Sequence, residues 1–429
     1  MQTLTMTAPL QRLKQQLIAL KGNSFARNLS SLGGAQLAIR ISRLIATIML
    51  SRLLLPEQFG LAAVVLTVYE LVAIFTRNGI SAKVVQVSAE ELPVVAMTAY
   101  RMTWLVCLGL MFIQILAAWP IAWFYNNSTI AWPIAAMGVI YLATPLCNIQ
   151  AALQQREGQL GRFALANAVQ VITDNVLTVI LAFMGFGMWA IILPKIIVAP
   201  IWVIFIRYGH AWRPQPDISP SAFHGWRDIA RFSRGVLGVE LLTTLQANMD
   251  NMLVGYFLGM HALGIYYFAF NSGLGITLGL INAAGVAVYP HLCEVRHDRE
   301  ALAKRFANIV KTMGVLLVPA ILVQAGLAFY YVPIVFGKQW IEAVPALSLI
   351  CLSALSRPFA NVCSQLLKAV GRPEVELRWQ IALTLVLGIS LILAAQFNIL
   401  AVAFAVFVVQ TVVLSAFVFS TIQRELVKP

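Results

Sequence analysis

Apolar stretches of membrane-spanning length alternate with short polar connectors along the chain. They run at 32–54, 58–80, 98–120, 129–150, 163–184 and 187–208, and again at 232–254, 262–290, 309–331, 341–365, 376–396 and 398–420. A hydrocarbon core about 30 Å thick takes roughly 20 apolar residues as one helix, so the pattern predicts an all-α polytopic membrane protein of 12 helices. The connectors on one side are short, as from Ile121 to Ser128, and those on the other include 209–231 and 291–308. The resulting division is a cytoplasmic amphipathic segment at 1–31, six helices at 32–208, a cytoplasmic linker at 209–231, six more helices at 232–420 and a tail at 421–429. In the first segment Leu10, Leu13, Leu17 and Leu20 recur at helical spacing among basic residues, which suits a helix lying on a membrane surface.

Composition agrees. Of 429 residues, 60% are hydrophobic and 11% charged, against about 45–50% and about 25% in soluble domains. A water-soluble enzyme is excluded, and little chain is left for a soluble domain. The net charge of +13 would suggest nucleic acid in a soluble protein, but here the placement of the charges carries the meaning. With the N-terminus inside, 24 Lys and Arg fall on the cytoplasmic side and two, Arg52 and Lys338, on the other. That bias puts both termini in the cytoplasm. The surplus faces anionic headgroups, and no nucleic acid is expected as a partner. Trp119, Trp123, Tyr125 and Trp132, and later Tyr330, Tyr331 and Trp340, mark the outer interface.

The two sets of six show faint internal likeness. A shift of 204 residues places Leu54 and Gly60 on Leu258 and Gly264, and Pro120-Ile121 and Pro333-Ile334 each follow the third helix of a set. An even number of helices per set predicts parallel repeats related by an axis along the membrane normal, a common transporter design.

Eight ionisable residues fall within the spans: Arg40, Arg43, Glu70, Asp174, Lys195, Glu240, Asp250 and Arg357. Leaving them all in lipid would cost roughly 20 kcal/mol or more, so they face protein or a watered cavity. Two readings stay open. In one they form neutral internal pairs, with Glu70 reaching Arg43 from the neighbouring helix. In the other the first half, with three cations and two anions, keeps a positive surplus for a phosphate, which Arg forks bind well. Arg40 and Arg43 share a helix face with Gln36 about one turn earlier. Asp250 and Arg357 lie near span ends and within reach of the interface; Glu240 and Asp174 are too short to snorkel and are candidates for a proton or cation relay.

Other motifs are weak. Gly273, Gly275 and Gly279 lie inside an apolar span and read as close helix packing. Gly337-Lys338 lacks the upstream glycine of a phosphate loop. The five cysteines show no metal-ligand spacing and read as free buried thiols, and the five histidines are scattered, so no metal or cofactor is expected.

Specific sequence begins after the first span. The run from Leu50 through Ser51, Arg52, Leu53, Leu54, Leu55, Pro56, Glu57, Gln58 and Phe59 to Gly60 is followed by Asn78-Gly79-Ile80 and Val85-Gln86. Further on come Asn248-Met249-Asp250-Asn251 with Gly255 and Gly259, Leu263-Gly264-Ile265-Tyr266, Phe336-Gly337 with Trp340, and Gly371-Arg372-Pro373. These runs resemble the Wzx-type polysaccharide-export flippase family of the multidrug/oligosaccharidyl-lipid/polysaccharide (MOP) superfamily, over nearly the whole chain. The sequence departs from the family at Tyr256, where an arginine is common, and in the run Gln155-Arg156-Glu157-Gly158-Gln159. The resemblance implies a MATE-like fold in the inner membrane of a bacterium. It also implies movement of a polyprenyl-diphosphate-linked oligosaccharide to the periplasmic leaflet by alternating access, with cation coupling as one means of driving it. A polysaccharide polymerase and a chain-length regulator are the partners it implies. On this reading Arg40 and Arg43 take the diphosphate with Lys195 in support, and Gln36, Asn167, Gln170, Asn175, Gln246, Asn248 and Asn271 offer hydrogen bonds to sugar. Glu70, Asp174, Glu240 and Asp250 remain coupling or charge-pair candidates. A MATE-like cation or drug antiporter is the rival of related design and predicts an acid-rich cavity. A glycan polymerase or ligase is the rival of another class and needs catalytic groups near the outer face.

Overall fold

The computed structural model describes residues 24–76, 80–214, 226–295 and 297–427. Residues 1–23 of the amphipathic segment, the Asn78-Gly79 pair and most of the linker prolines lie outside the described residues, and residues 24–31 begin the first helix. Helices account for nearly all the rest: α1 (Ser24–Leu53), α2 (Pro56–Ala73), the short α3 (Ile80–Gln86), α4 (Leu92–Phe124), α5 (Ala131–Met137), α6 (Thr144–Arg156), α7 (Leu160–Phe183), α8 (Trp189–Tyr208), α9 (Trp226–Cys293), α10 (Arg299–Gly326), α11 (Val344–Ser353), α12 (Arg357–Ala369), α13 (Pro373–Ala394) and α14 (Ile399–Ile422).

Among the described residues nine helices are long and apolar enough to cross a membrane, or ten when the pair Ser128–Leu142 and Thr144–Arg156, bent by 49°, counts as one. Two features separate that number from the expected 12. Helix α1, which carries Arg40 and Arg43 in mid-helix, is not among the nine. Helix α9 has 68 residues, about 100 Å at 1.5 Å each, three times a bilayer, so it folds back on itself. The reversal is at Gly259, whose φ of 85° and ψ of 177° are not helical and suit glycine alone. Its two arms, 226–258 and 260–293, correspond to two expected spans.

Contacts repeat between the two sets of helices. Helix α1 packs along α7, and α7 against α8; correspondingly α9 packs on α13, and α13 on α14. The fourth span of each set is broken in its middle, by the 3-10 turn Gly138–Leu142 in the first and at Ala354–Ser356 in the second. The segment after each break then packs on the rest of its own set, α6 on α8 and α12 on α14. Gly273 is a packing glycine as expected, since a Cβ there would lie 3.0 Å from Cys351 Sγ in α11.

The largest contact between the sets is that of α2 with α9, and the motif around Pro56 builds it. Pro56 occupies the first turn of α2, where its missing N–H costs nothing. Gln58 Oε1 accepts the Leu55 N–H at 3.2 Å, capping that turn, and Gly60 lets two backbones touch. A Cβ on Gly60 would overlap the Met260 carbonyl, and one on Gly264 would overlap that of Pro56. Each would also lie 3.0 Å from the other glycine's backbone nitrogen. The two positions related by the 204-residue shift therefore meet each other, as residues on a two-fold axis must.

Polar bonds and aromatic rings close the same end. Trp340 Nε1 donates to Ser51 O at 2.7 Å, Gln339 Nε2 donates to Ser51 O and Leu54 O, and Arg52 donates through Nε to Val335 O at 2.9 Å and through Nη2 to Ile334 O at 2.7 Å. The fully buried Trp340 ring stacks on Phe268 at 3.9 Å and takes the edge of Phe59 at 5.1 Å. Tyr125 OH reaches Met252 O at 3.4 Å, and Phe124 stacks on Tyr256 at 4.4 Å. This seam lies at the end of the bundle away from residues 209–214 and 226–231.

Candidate functional site

Toward the linker the facing surfaces change character. Between residues 36 and 45 the exposed side chains of α1 fall on two arcs, since each residue turns the helix by about 100°. Leu37, Ile41, Leu44 and Ile45 form an apolar arc suited to lipid, while Gln36, Arg40 and Arg43 form a polar one that the half-buried Thr47 continues. Between them Ile39, Ala46 and Leu50 are buried, and on that packed side Ser42 accepts from Asn175 of α7 at 2.9 Å. The polar arc thus faces neither lipid nor the α7 contact, and a charge exposed in mid-helix requires a watered cleft.

Three other helical segments complete that cleft. In α2, Glu70 is exposed and accepts a hydrogen bond from Asn248 Nδ2 in the first arm of α9 at 3.1 Å. Asn248 is itself held by Thr244 O at 3.0 Å, and Thr67 donates to its Oδ1 at 3.4 Å. In the second arm Tyr267 lies within electrostatic range of both the Glu70 carboxylate and the Arg43 guanidinium. Asn271, one turn on, is exposed and donates to Tyr267 O at 2.9 Å. Two cations and one anion therefore line a surface shared by both sets of helices, with amide and hydroxyl groups around them. Such a surface can hold an anionic, hydroxyl-rich ligand by charge-assisted and neutral hydrogen bonds.

The expected Glu70–Arg43 ion pair is absent among the described residues: Glu70 engages Asn248, and Arg43 has no carboxylate within 4 Å. Lys195 and Asp174 are brought together instead, Nζ to Oδ2 at 3.0 Å, between α8 and α7. Asp250 does not reach an interface. It is 8% exposed and accepts from Tyr266 OH at 2.7 Å and from the Asn251 N–H at 2.9 Å. Arg357 also stays inside, its Nε donating to Gln410 Oε1 at 3.0 Å, with Asp250 and Tyr266 in electrostatic range. Glu240 is half-buried and makes no ion pair among the described residues. The charges thus sort into a cleft group (Arg40, Arg43, Glu70) and internal groups (Lys195 with Asp174; Asp250 with Tyr266 and Arg357).

Sequence reasoning did not single out Tyr267, Thr67 or Thr244 for this surface. Tyr267 carried a signal, since a tyrosine in mid-span needs a partner for its hydroxyl. With Tyr266 beside it, 100° around the helix, the two hydroxyls necessarily serve different surroundings.

Comparison with known proteins places the chain. It is 22% identical over 293 residues to the teichuronic acid biosynthesis protein TuaB of Bacillus subtilis, an alignment covering 67% of this chain and 59% of that protein. It is 23% identical over 358 residues to the lipopolysaccharide biosynthesis protein WzxC of Escherichia coli, covering 82% of this chain and 71% of WzxC. The chain thus spans about three fifths to seven tenths of the length of these curated relatives. Among solved structures it resembles the lipid II flippase MurJ in an inward closed conformation, with a TM-score of 0.74 at 13% identity, covering 91% of this chain and 87% of MurJ. It also resembles an inward-facing multidrug resistance MATE family transporter of the MOP superfamily, with a TM-score of 0.69 at 16% identity, covering 90% of this chain and 94% of that one. Residues 49–345 match the family described as polysaccharide biosynthesis protein. The fold is that of the MOP superfamily, and the chain belongs to the polysaccharide biosynthesis protein family.

Proposed function

We propose that this protein is a flippase that carries a polyprenyl-diphosphate-linked oligosaccharide from the cytoplasmic to the periplasmic leaflet of a bacterial inner membrane. The observation that carries this reading is the polar arc Gln36–Arg40–Arg43 in mid-span, facing Glu70 and Asn248 across a surface shared by the two halves. The TuaB and WzxC relatives, by their names proteins of teichuronic acid and lipopolysaccharide biosynthesis, and the MurJ fold support it. The 24 to 2 distribution of basic residues supports cytoplasmic termini, so the seam at Gly60 and Gly264 lies outside and the polar cleft opens inward.

Arg40 and Arg43 take the diphosphate. Gln36, Asn248 and Asn271 offer hydrogen bonds to sugar while the polyprenyl tail stays in lipid. The halves 32–208 and 232–420 rock about the seam, which parts to release the head group outward. A polymerase and a chain-length regulator receive the product.

The test is a proteoliposome assay in which a labelled polyprenyl-diphosphate oligosaccharide becomes accessible to an impermeant reagent. Crossing by the wild type, lost in Arg40→Ala/Arg43→Ala at normal expression and folding, supports the flippase and its basic cleft. No crossing, together with gradient-driven uptake of a cationic dye, overturns it in favour of an antiporter.

A further inference from the structure

The two basic residues that the charge bias leaves outside come from opposite halves, 286 positions apart, yet they meet. Arg52, at the end of α1, and Lys338, the first residue of the 3-10 turn Lys338–Ala343, line one open depression of about 340 Å³ with Pro333, Gly337 and Gln339. Its size falls at the small end of ligand sites, about 300–1,000 Å³.

The depression is built as well as charged. Arg52 is pinned by its two bonds to the carbonyls of Ile334 and Val335, which fix the plane of a guanidinium that still has three N–H donors to offer. The Lys338 side chain is exposed and, among the described residues, has no ion pair or hydrogen bond. Gly337, with φ of 111°, turns the chain where a side chain would be strained. Neither acid forms an ion pair with Arg52 or Lys338 among the described residues: Glu342 Oε2 lies 3.6 Å from His261 Nε2, and Glu57 makes no ion pair. Phe329, Tyr330 and Ile334 are 66%, 67% and 72% exposed, an aromatic and apolar margin of the kind that sits at headgroup depth. Two cations beside such a margin fit an anion with an attached hydrocarbon chain.

We propose that this depression is an outer-face site for a lipid-borne phosphate. It receives the diphosphate of the carrier lipid as it leaves the seam, or the phosphate of an outer-leaflet phospholipid. The outer placement rests on the orientation and flippase reading given above.

The test follows acylation of Lys338 by an impermeant N-hydroxysuccinimide ester, read by peptide mass spectrometry on the full chain in phosphatidylcholine nanodiscs. Farnesyl diphosphate at about ten times its half-saturating concentration slows Lys338 acylation about tenfold by simple occupancy. Farnesol leaves it unchanged, and Lys83 of α3 and Lys311 of α10 report any loss of reagent. Phosphatidylglycerol nanodiscs without the diphosphate distinguish the sources: slowing there supports the site with a phospholipid as its ligand, and slowing by the diphosphate alone supports the carrier lipid. Equal rates in all arms overturn the site. If crossing fails in proteoliposomes while Lys338 is still protected, the flippase reading falls and the site stands. Lys338 that reacts in spheroplasts only after permeabilisation overturns the outer placement and the proposal with it. Arg52→Gln weakens the protection, and Arg40→Gln/Arg43→Gln leaves it intact.

Discussion

At the distal end the halves meet through Gly60 and Gly264, backbone against backbone, under the buried Trp340 ring, whereas toward the linker they face each other with Arg40, Arg43, Glu70 and Asn248. Helices α2 and α9 contribute to both regions, and α1 adds Arg40 and Arg43 to the second. What differs is side-chain volume and hydration. Glycines permit an approach so close that hardly any apolar side chain separates the backbones, and such packing is bistable, either seated or parted. Charged and amide side chains keep the other region wet and apart, because two half-solvated surfaces gain little by closing. A hinge-and-gate arrangement needs such a contrast, with a dry seam that can open and a wet cleft that can exchange ligand.

The largest effect expected on this contrast comes from filling the seam. In Gly60→Leu the new side chain meets the Met260 backbone, which no rotamer avoids, so the halves are wedged apart at a cost of about 3 kcal/mol. A lower melting midpoint in detergent is expected, together with outward accessibility of a cysteine placed at Thr67. Normal melting and a shielded residue 67 would mean that the seam is not held by this contact. The next effect belongs to the cleft. Arg43→Gln leaves the seam and the melt untouched but removes a charge-assisted hydrogen bond worth about 1.5–3 kcal/mol, so a short-chain prenyl diphosphate binds roughly 10- to 100-fold more weakly. Unchanged binding would remove Arg43 from the site.

Much of this contrast is legible in the amino-acid sequence, and its limits are physical. The helices follow from apolar length, and the fold-back at Gly259 follows from the impossibility of a helix near 100 Å long in a bilayer. The seam was foreshadowed by the offset that aligns Gly60 with Gly264, although nothing in either glycine says that it touches its counterpart. Arg40 and Arg43 are recognisable because they are i and i+3 on one face. The partners of the acids were not recognisable, because depth along a helix fixes one coordinate and rotation about its axis the other. Glu70 lies near the depth of Arg43 yet turns to Asn248, and Asp250, near a span end, faces inward to Tyr266. Two residues 100° apart on the same helix, Tyr266 and Tyr267, thereby belong to different chemistry.

That separation predicts a third, smaller effect. Tyr266→Phe takes a donor from the buried Asp250 carboxylate and costs about 2 kcal/mol of stability, while prenyl-diphosphate binding stays at the wild-type level. The cleft and the internal charge cluster would prove to be one unit if binding fell together with the melt.

The smallest effect is expected at Lys195, and it sharpens the boundary between the two kinds of charge. The ammonium sits 3.0 Å from Asp174 Oδ2, and the side chains are 33% and 17% exposed, so the pair is worth about 1 kcal/mol or less. Among the described residues Asp174 Oδ1 is buried without a hydrogen-bond partner, so Lys195 is the carboxylate's main source of compensation there. Lys195→Gln alone should therefore destabilise more than Lys195→Gln/Asp174→Asn, in which the stranded carboxylate is gone, and neither change should weaken prenyl-diphosphate binding. A double-mutant cycle on the melting midpoint, with binding measured on the same four proteins, separates the cases. Binding that weakens in both Lys195 variants as it does in Arg43→Gln would move Lys195 from the internal pairs to the cleft, and the positive surplus of the first half would then act as a single field on the diphosphate.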